Sequence, residues 1–267
     1  VEIGLDLLAT LFGVSLIAGF VDAMAGGGGL LTVPALLWAG LPPAAAIATN
    51  KLQSSFGAFS ATVRFVRGGE VDPRAMKGMI ACALVGGLAG SAVLQVVDAS
   101  FLQDAIPFLL VGIALYLLLS PKAGDVDAHR RIGEGAFALL VCTGIGFYDG
   151  IFGPGTGTFF TMAFVALAGF NLRKATAHTK VLNFTSNIAS LLGFLAGGSI
   201  VWSIGLTMAV GAYAGAQLGA HMVIRNGARL VRPMLVVASL AITAKLVWSD
   251  ADHPMRHALA WLVGLFG

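Results

Sequence analysis

Charge is what this chain has least of. Only 11% of its 267 residues are Asp, Glu, Lys or Arg, where a soluble domain carries roughly 25%, so a globular surface facing water could not be covered. Cysteine is almost absent as well. Cys82 and Cys142 each sit in an apolar run without a C-x-x-C or a histidine at ligand spacing, which argues against a disulfide scaffold, a metal site or redox chemistry and fits small core thiols. The five histidines are scattered and none falls in a His-Glu-x-x-His, so an intramembrane zinc enzyme has no support. Two aspartates in apolar surroundings, Tyr148-Asp149 and a Pro34-Ala35-Leu36 triplet superficially resemble an aspartyl protease of the membrane, but the chain order is wrong and no Gly-x-Gly-Asp occurs. The reading is therefore not an enzyme, with no cofactor and no metal. Sixteen Lys and Arg against thirteen Asp and Glu is too small a surplus for a nucleic-acid face. Val1–Asp6 hold Glu2 and Asp6 but no basic residue, so a signal-peptide n-region is missing and the first apolar segment is expected to stay in the mature protein.

What the chain has in quantity is apolar sequence, 57% of it, and 36 glycines. About twenty consecutive apolar residues span a bilayer, and such runs recur at 7–25, 44–66, 75–96, 101–119, 133–150, 175–197, 203–222 and 231–248. Two shorter apolar stretches, 30–40 and 158–169, each follow a glycine-rich break and read as half-length or re-entrant pieces. A last run, 258–266, is too short to span alone. The expectation is an all-α integral membrane protein of about eight transmembrane helices plus two broken segments. Basic residues set its direction. Arg64, Arg67, Arg74, Lys77, Lys122, Arg130, Arg131, Arg173, Lys174, Arg225, Arg229 and Arg232 fall in one set of connections, whereas the alternate set holds only Arg256; the positive-inside rule puts the first set in the cytoplasm.

The chain also repeats itself. Gly19-Phe20-Val21-Asp22 returns as Gly146-Phe147-Tyr148-Asp149, each followed four residues later by a glycine, Gly26 or Gly153, heading a glycine-rich stretch. After a two-residue change of register, Gly40 matches Gly169, Ala46 matches Ala175, and Lys51 in Ala-Thr-Asn-Lys-Leu matches Lys180 in Ala-His-Thr-Lys-Val. The span with Lys51 runs toward a basic loop and the span with Lys180 runs away from one, so the two repeats, 1–120 and 133–267 around a cytoplasmic linker 121–132, are expected to be inverted. Inverted repeats with broken helices are a recurring architecture of secondary transporters, with substrate at the repeat interface.

Five charged residues fall well inside spans: Asp22, Asp149, Lys51, Lys180 and Lys245. A charge at the bilayer centre costs at least about 2.5–3.5 kcal/mol, so each is a functional candidate. Lys245, three residues from Trp248 near a span end, is explained by snorkelling. Lys51 has Thr49, Asn50 and Gln53 beside it; Lys180 has His178, Thr179, Asn183, Ser186 and Asn187. An ammonium with directional hydroxyl and amide donors suits a small oxyanion. Alternatively each lysine neutralises the aspartate of its own or the opposite half as a buried ion pair.

The glycine clusters Gly26-Gly27-Gly28-Gly29 and Gly153-Pro154-Gly155-Thr156-Gly157 precede new helical pieces, whose N-terminal amides and dipole form a ready anion site. Gly27, Gly28, Gly155 and Gly157 are the backbone candidates. Glycine clusters also serve close helix packing, the reading given to Gly86-Gly87-Gly90 and Gly211-Gly215-Gly219. Asp22 and Asp149 either couple transport to protons or cap the broken helices. His178, which breaks the symmetry by standing where Thr49 stands in the other repeat, either gates the charge of Lys180 or packs as a hydrogen-bonded imidazole.

The Gly-Phe-Val-Asp-x-x-x-Gly-Gly-Gly-Gly-Leu-Leu-Thr-Val-Pro run, Ala-Thr-Asn-Lys-Leu-Gln, Gly-Phe-Tyr-Asp-Gly with Gly-Pro-Gly-Thr-Gly, and Thr-Lys-Val-Leu-Asn-Phe together resemble the TauE/SafE family of bacterial membrane permeases over nearly the whole chain. The resemblance implies a carrier of the bacterial inner membrane for sulfite or organosulfonates such as sulfoacetate, commonly an exporter. Its Lys and Gly motif positions fall on Lys51, Lys180 and Gly26–Gly29. The expected function is a secondary transporter working by alternating access around Lys51 and Lys180, by uniport or with protons as coupling ion; the alternative is a carrier or channel for another small anion such as a carboxylate or sulfate. Lipid and a small anion are the expected partners, nucleic acid is not, and self-association is open.

Overall fold

A computed structural model describes residues 4–94, 111, 115, 124–197 and 200–249, and these form helices, turns and no strand. The expected run 258–266, the side chain of Lys245 and nearly all of the expected span 101–119 lie outside the described residues. Helix α1 is Leu5–Ala25, α2 Gly29–Trp38 and α3 Pro43–Arg67. A short 3₁₀ turn, Pro73–Met76, capped by Asp72, leads into α4, Lys77–Leu94. Helix α5 runs over Glu134–Ile151 with widened turns at Phe137–Cys142. Then come α6 (Thr156–Ala166), α7 (Leu172–Gly197), α8 (Trp202–Asn226) and α9 (Ala228–Ser249). Leu5–Ala25, Pro73–Leu94 and Glu134–Ile151 are long and apolar enough to cross a bilayer. Helices α2 and α6, with 10 and 11 residues, reach only about 15 Å at 1.5 Å per residue, half of the roughly 30 Å hydrocarbon core. The half-length expectation for 30–40 and 158–169 thus holds for their helical parts.

Helices α3 and α7 are long but less apolar, because their polar residues point inward: Asn50, Lys51, Gln53 and Ser55 on one, Thr179, Lys180, Asn183 and Ser186 on the other, are all buried. Outward faces are apolar instead, with Leu139, Leu140, Val210 and Leu218 each more than half exposed, as in a protein whose solvent is lipid.

Packing is reciprocal between the N- and C-terminal halves of the chain. Helix α1 lies against α8, and α5 lies against α4. At the first contact a Cβ on Gly215 would sit 1.9 Å from the Leu16 carbonyl oxygen and one on Gly219 would sit 2.4 Å from that of Phe20; at the second, Gly86 meets Thr143 and Gly90 meets Phe147 in the same way, at 2.3 and 2.1 Å. In the repeat register Gly86 corresponds to Gly215 and Gly90 to Gly219, so each half lends its glycine face to the first helix of the other. The expectation of small-residue helix packing at both clusters is met.

One end of the bundle gathers the basic connections. Arg173 pairs with Glu70 at 3.0 Å, Lys174 with Asp127 at 3.3 Å and Arg232 with Asp125 at 2.8 Å. Asn171 heads α7, its side chain accepting the Lys174 N–H. Its own N–H goes to Asp127, and this bond, with Lys174 nearby, holds the Asp127 carboxyl below its ordinary range. That stabilisation is present above the usual carboxylate pKa and is lost as pH falls through the lowered one. Trp38, Trp202 and Trp248 are each half or more exposed, and all three adjoin connections poor in basic residues, the position of an interfacial aromatic belt.

The close glycine contacts predict that Gly215→Val, which forces a side chain into the Leu16 backbone, abolishes monodisperse protein in detergent. Gly13→Ala, with nothing within 4 Å of the added atom, leaves the elution profile unchanged in size-exclusion chromatography.

Candidate functional site

Two helix breaks meet at the centre of the fold. Helix α1 ends where Gly26 turns left-handed, φ 79°, and α5 gives way at Gly153, φ 91°. The breaks touch: a Cβ on Gly26 would lie 2.3 Å from the Gly157 carbonyl carbon, so no other residue fits there. The Thr158 hydroxyl donates to the Ala25 carbonyl at 2.7 Å, joining the first turn of α6 to the end of α1.

Lys51 and Lys180 enter this crossing from α3 and α7, each 1% exposed. The Lys51 ammonium lies 2.8 Å from Asp149 Oδ1, and Lys180 lies 2.9 Å from Asp22 Oδ2. Each lysine therefore pairs with the aspartate of the opposite half. Each also donates to the main-chain carbonyl of that aspartate, near the C-terminal end of the helix carrying it. A cation there neutralises both a carboxylate and the negative pole of the helix dipole. The ion pair across halves, one of the two sequence readings of these lysines, is present in the structure.

A small polar cavity lies alongside. Expected site residues Lys51, Asn50, Asn183, Asn187 and Gly157 line it, with Asp22 and Asp149; Gly26, Gly29, Gly153, Ser54 and Thr156 complete the wall. The remaining expected residues are placed elsewhere. Lys180 is held behind the wall by Asp22. Thr49 accepts the Val201 N–H and Thr179 bonds Thr161. Gln53 supports the site indirectly, donating to Asn50 Oδ1 at 2.8 Å, and Gly28 donates its N–H to Asp22 Oδ1 at 3.2 Å. Gly27 faces an apolar groove beside Leu30, Leu31 and Met234, and Gly155 forms the left-handed residue before α6, φ 86°. His178 packs edge-on against Phe164 and Phe170 with Nδ1 toward the Lys174 carbonyl, the packing alternative of its reading. Ser54 was not anticipated; its signal was the one-turn spacing from Asn50, which places both on one helix face.

The chemistry of the wall favours an anion. Its lysine and aspartate charges cancel in pairs. Donors remain: Asn50 Oδ1 already accepts from Thr32 and Gln53, and Asn183 Oδ1 from Asn187, so both of these amides have N–H groups to offer, while Asn187 spends its own on Asn183 and keeps an Oδ1 acceptor. Neither α2 nor α6 has a side chain capping its first turn, and both helices begin at the cavity wall. Such N-termini carry the positive end of the dipole, and the Leu30, Leu31 and Thr156 N–H groups there bond turn carbonyls. Among the described residues no group of three or more His, Cys, Asp or Glu is placed to hold a metal.

Half-helices meeting at a charge-balanced polar cavity inside an apolar bundle are the architecture of a membrane transporter. Residues 11–246 match the family described as sulfite exporter TauE/SafE. The chain is 49% identical to a "Probable membrane transporter protein" of Haemophilus influenzae over 249 residues, 93% of this chain and 98% of that one. It is 47% identical to the "Probable membrane transporter protein YfcA" of Escherichia coli K12, covering 96% and 94%, and 24% identical to the "Probable membrane transporter protein YunE" of Bacillus subtilis, covering 88% and 95%. No solved structure matches it. The chain belongs to the TauE/SafE family and is a multi-pass transporter of the bacterial cytoplasmic membrane.

The buried pair yields a stability prediction. Asp149→Ala removes the carboxylate that balances Lys51 and leaves it only the main-chain carbonyl of residue 149, at a cost of about 3–5 kcal/mol, read as a lower Tm in detergent. Lys51→Met combined with Asp149→Leu is expected to recover most of that loss, since a buried pair replaced by apolar residues is often neutral. A double variant no more stable than the single one would show that the ion pair is not the source of the loss.

Proposed function

We propose that this protein is a secondary transporter, and not an enzyme, that exports sulfite or an organosulfonate such as sulfoacetate by alternating access around the Lys51 and Lys180 crossing. The anion sits in the cavity between the first turns of α2 and α6, held by backbone amides and by Asn50 and Asn183. The lysines, already paired, set the charge balance of the site and tie each half to the other. In this reading residues 1–120 and 133–267 form two inverted repeats joined by 121–132, and the reciprocal contacts of α1 with α8 and α5 with α4 support it. One observation carries the binding mode: two uncapped half-helix N-termini, one from each half, open on the same cavity. A sulfonate stays anionic at any cellular pH, so fixed donors suit it.

Purified protein in proteoliposomes, loaded in turn with sulfite, sulfoacetate, taurine, sulfate and acetate, tests the reading by counterflow. Saturable exchange of sulfite or sulfoacetate alone is expected. Exchange of acetate or sulfate instead would keep an anion carrier and discard the substrate class, and flux without saturation would make it a channel. Lys51→Ala and Lys180→Ala are each expected to abolish exchange while still inserting in the membrane; normal exchange by either would remove the crossing from the transport cycle.

A further inference from the structure

Asp22 and Asp149 hold the same register of the repeat but not the same surroundings. The carboxylate of Asp149 is 2% exposed and fully engaged: Lys51 and Thr156 each lie 2.8 Å from Oδ1, and the Ser186 hydroxyl donates to Oδ2 at 2.6 Å. Asp22 is 23% exposed and has one ammonium at 2.9 Å and one backbone N–H at 3.2 Å. The sequence accounts for the difference. Ser186 is matched in the N-terminal half by Gly57, and Thr156 by a glycine on either side of the register change, Gly27 or Gly29. Both hydroxyls that hold Asp149 are thus missing around Asp22. Where Gly57 lacks its side chain there is a second small cavity, walled by Gly57, Gly28, Gln53 and Ala212, and Asp22 and Ser54 line both this cavity and the larger one.

We infer that Asp22 is the carboxylate that takes up and releases a proton during transport, while Asp149 stays ionised as the fixed partner of Lys51. The inference rests on the transport reading above and names its coupling ion. Proton transfer adds one hydrogen to an Asp22 oxygen and breaks the ion pair with Lys180, whose ammonium keeps the Asp22 main-chain carbonyl. The site then carries one positive charge more, which an incoming anion balances. The groups facing Asp22 are few. Lys180 touches it from α7; Lys51 of α3 and Asp149 of α5 stand across the larger cavity; α3 otherwise offers uncharged Gln53, Ser54 and Gly57; α2 and its preceding loop offer glycine amides, and α8 offers Ala212. No second carboxylate among the described residues shares the smaller cavity.

Dicyclohexylcarbodiimide, which forms a stable adduct with protonated carboxyls in apolar surroundings, tests this without any substrate. In the intact protein in nanodiscs, peptide mass spectrometry is expected to find the adduct on Asp22, declining as pH rises, and none on Asp149. Gly57→Ser supplies the missing hydroxyl, its Cβ meeting Ala212 at an ordinary 3.4 Å, and is expected to reduce the labelling of Asp22 at every pH. Labelling of Asp149, of both equally or of neither overturns the inference. In proteoliposomes, wild-type sulfoacetate flux is expected to change by about tenfold per pH unit on one side of its optimum, the signature of one proton, and any flux left in Asp22→Asn is expected to be flat; an unchanged slope in that variant also overturns it. A protein that carries none of the anions tried yet labels at Asp22 alone would defeat the transport reading and leave the assignment of the exchangeable carboxylate standing.

Discussion

A lysine ammonium sealed from solvent inside an apolar bundle must meet a carboxylate, and here the carboxylate within reach belongs to the other half of the chain. Lys51 to Asp149 and Lys180 to Asp22 are therefore two struts that cross. Neither half can neutralise its own lysine in this arrangement. The halves are committed to one another, and the site between them comes into being with their association. The glycine contacts enforce the same exchange, since Gly86 and Gly90 of one half receive α5, and Gly215 and Gly219 of the other receive α1.

Electrostatics at the crossing follow from where the helices break. The broken helices bring two C-terminal ends and two N-terminal ends to one place. The lysines neutralise the C-terminal ends by donating to the Asp22 and Asp149 carbonyls. At the N-terminal ends, the Asp22 carboxylate accepts the Gly28 N–H just before α2, and α6 has no side-chain cap. A cavity whose formal charges cancel, and which gathers the positive ends of two helix dipoles with the Asn50 and Asn183 N–H groups, suits a small anion that arrives and leaves. A free lysine would bind more tightly and release more slowly, which is one physical reason for pairing both.

Much of this was legible in the sequence because it depends on local pattern. The half-length helices follow from glycine breaks before ten or so apolar residues, and the importance of Asp22, Asp149, Lys51 and Lys180 follows from the cost of burying charge. The crossed pairing could not be read, because sequence order says nothing about which aspartate a lysine reaches across a helix interface. Adjacency along the chain is not adjacency in the cavity wall. Thr49, Thr179 and His178 neighbour the lysines along the chain, but a step of one or two residues rotates a helical side chain to another face. Thr49 turns to Val201, Thr179 to Thr161 and His178 to a pair of phenylalanines, whereas Ser54, one turn from Asn50, reaches the cavity.

The central claim is the location of the anion, and a cryo-EM structure of the protein in nanodiscs with sulfoacetate tests it most directly. Ligand density is expected between the first turns of α2 and α6, within hydrogen-bond distance of backbone amides there and of Asn50 or Asn183, with Lys51 still on Asp149. Density against the basic connections near Arg173 and Arg232, or a sulfonate seated directly on a Lys51 ammonium released from Asp149, would contradict it.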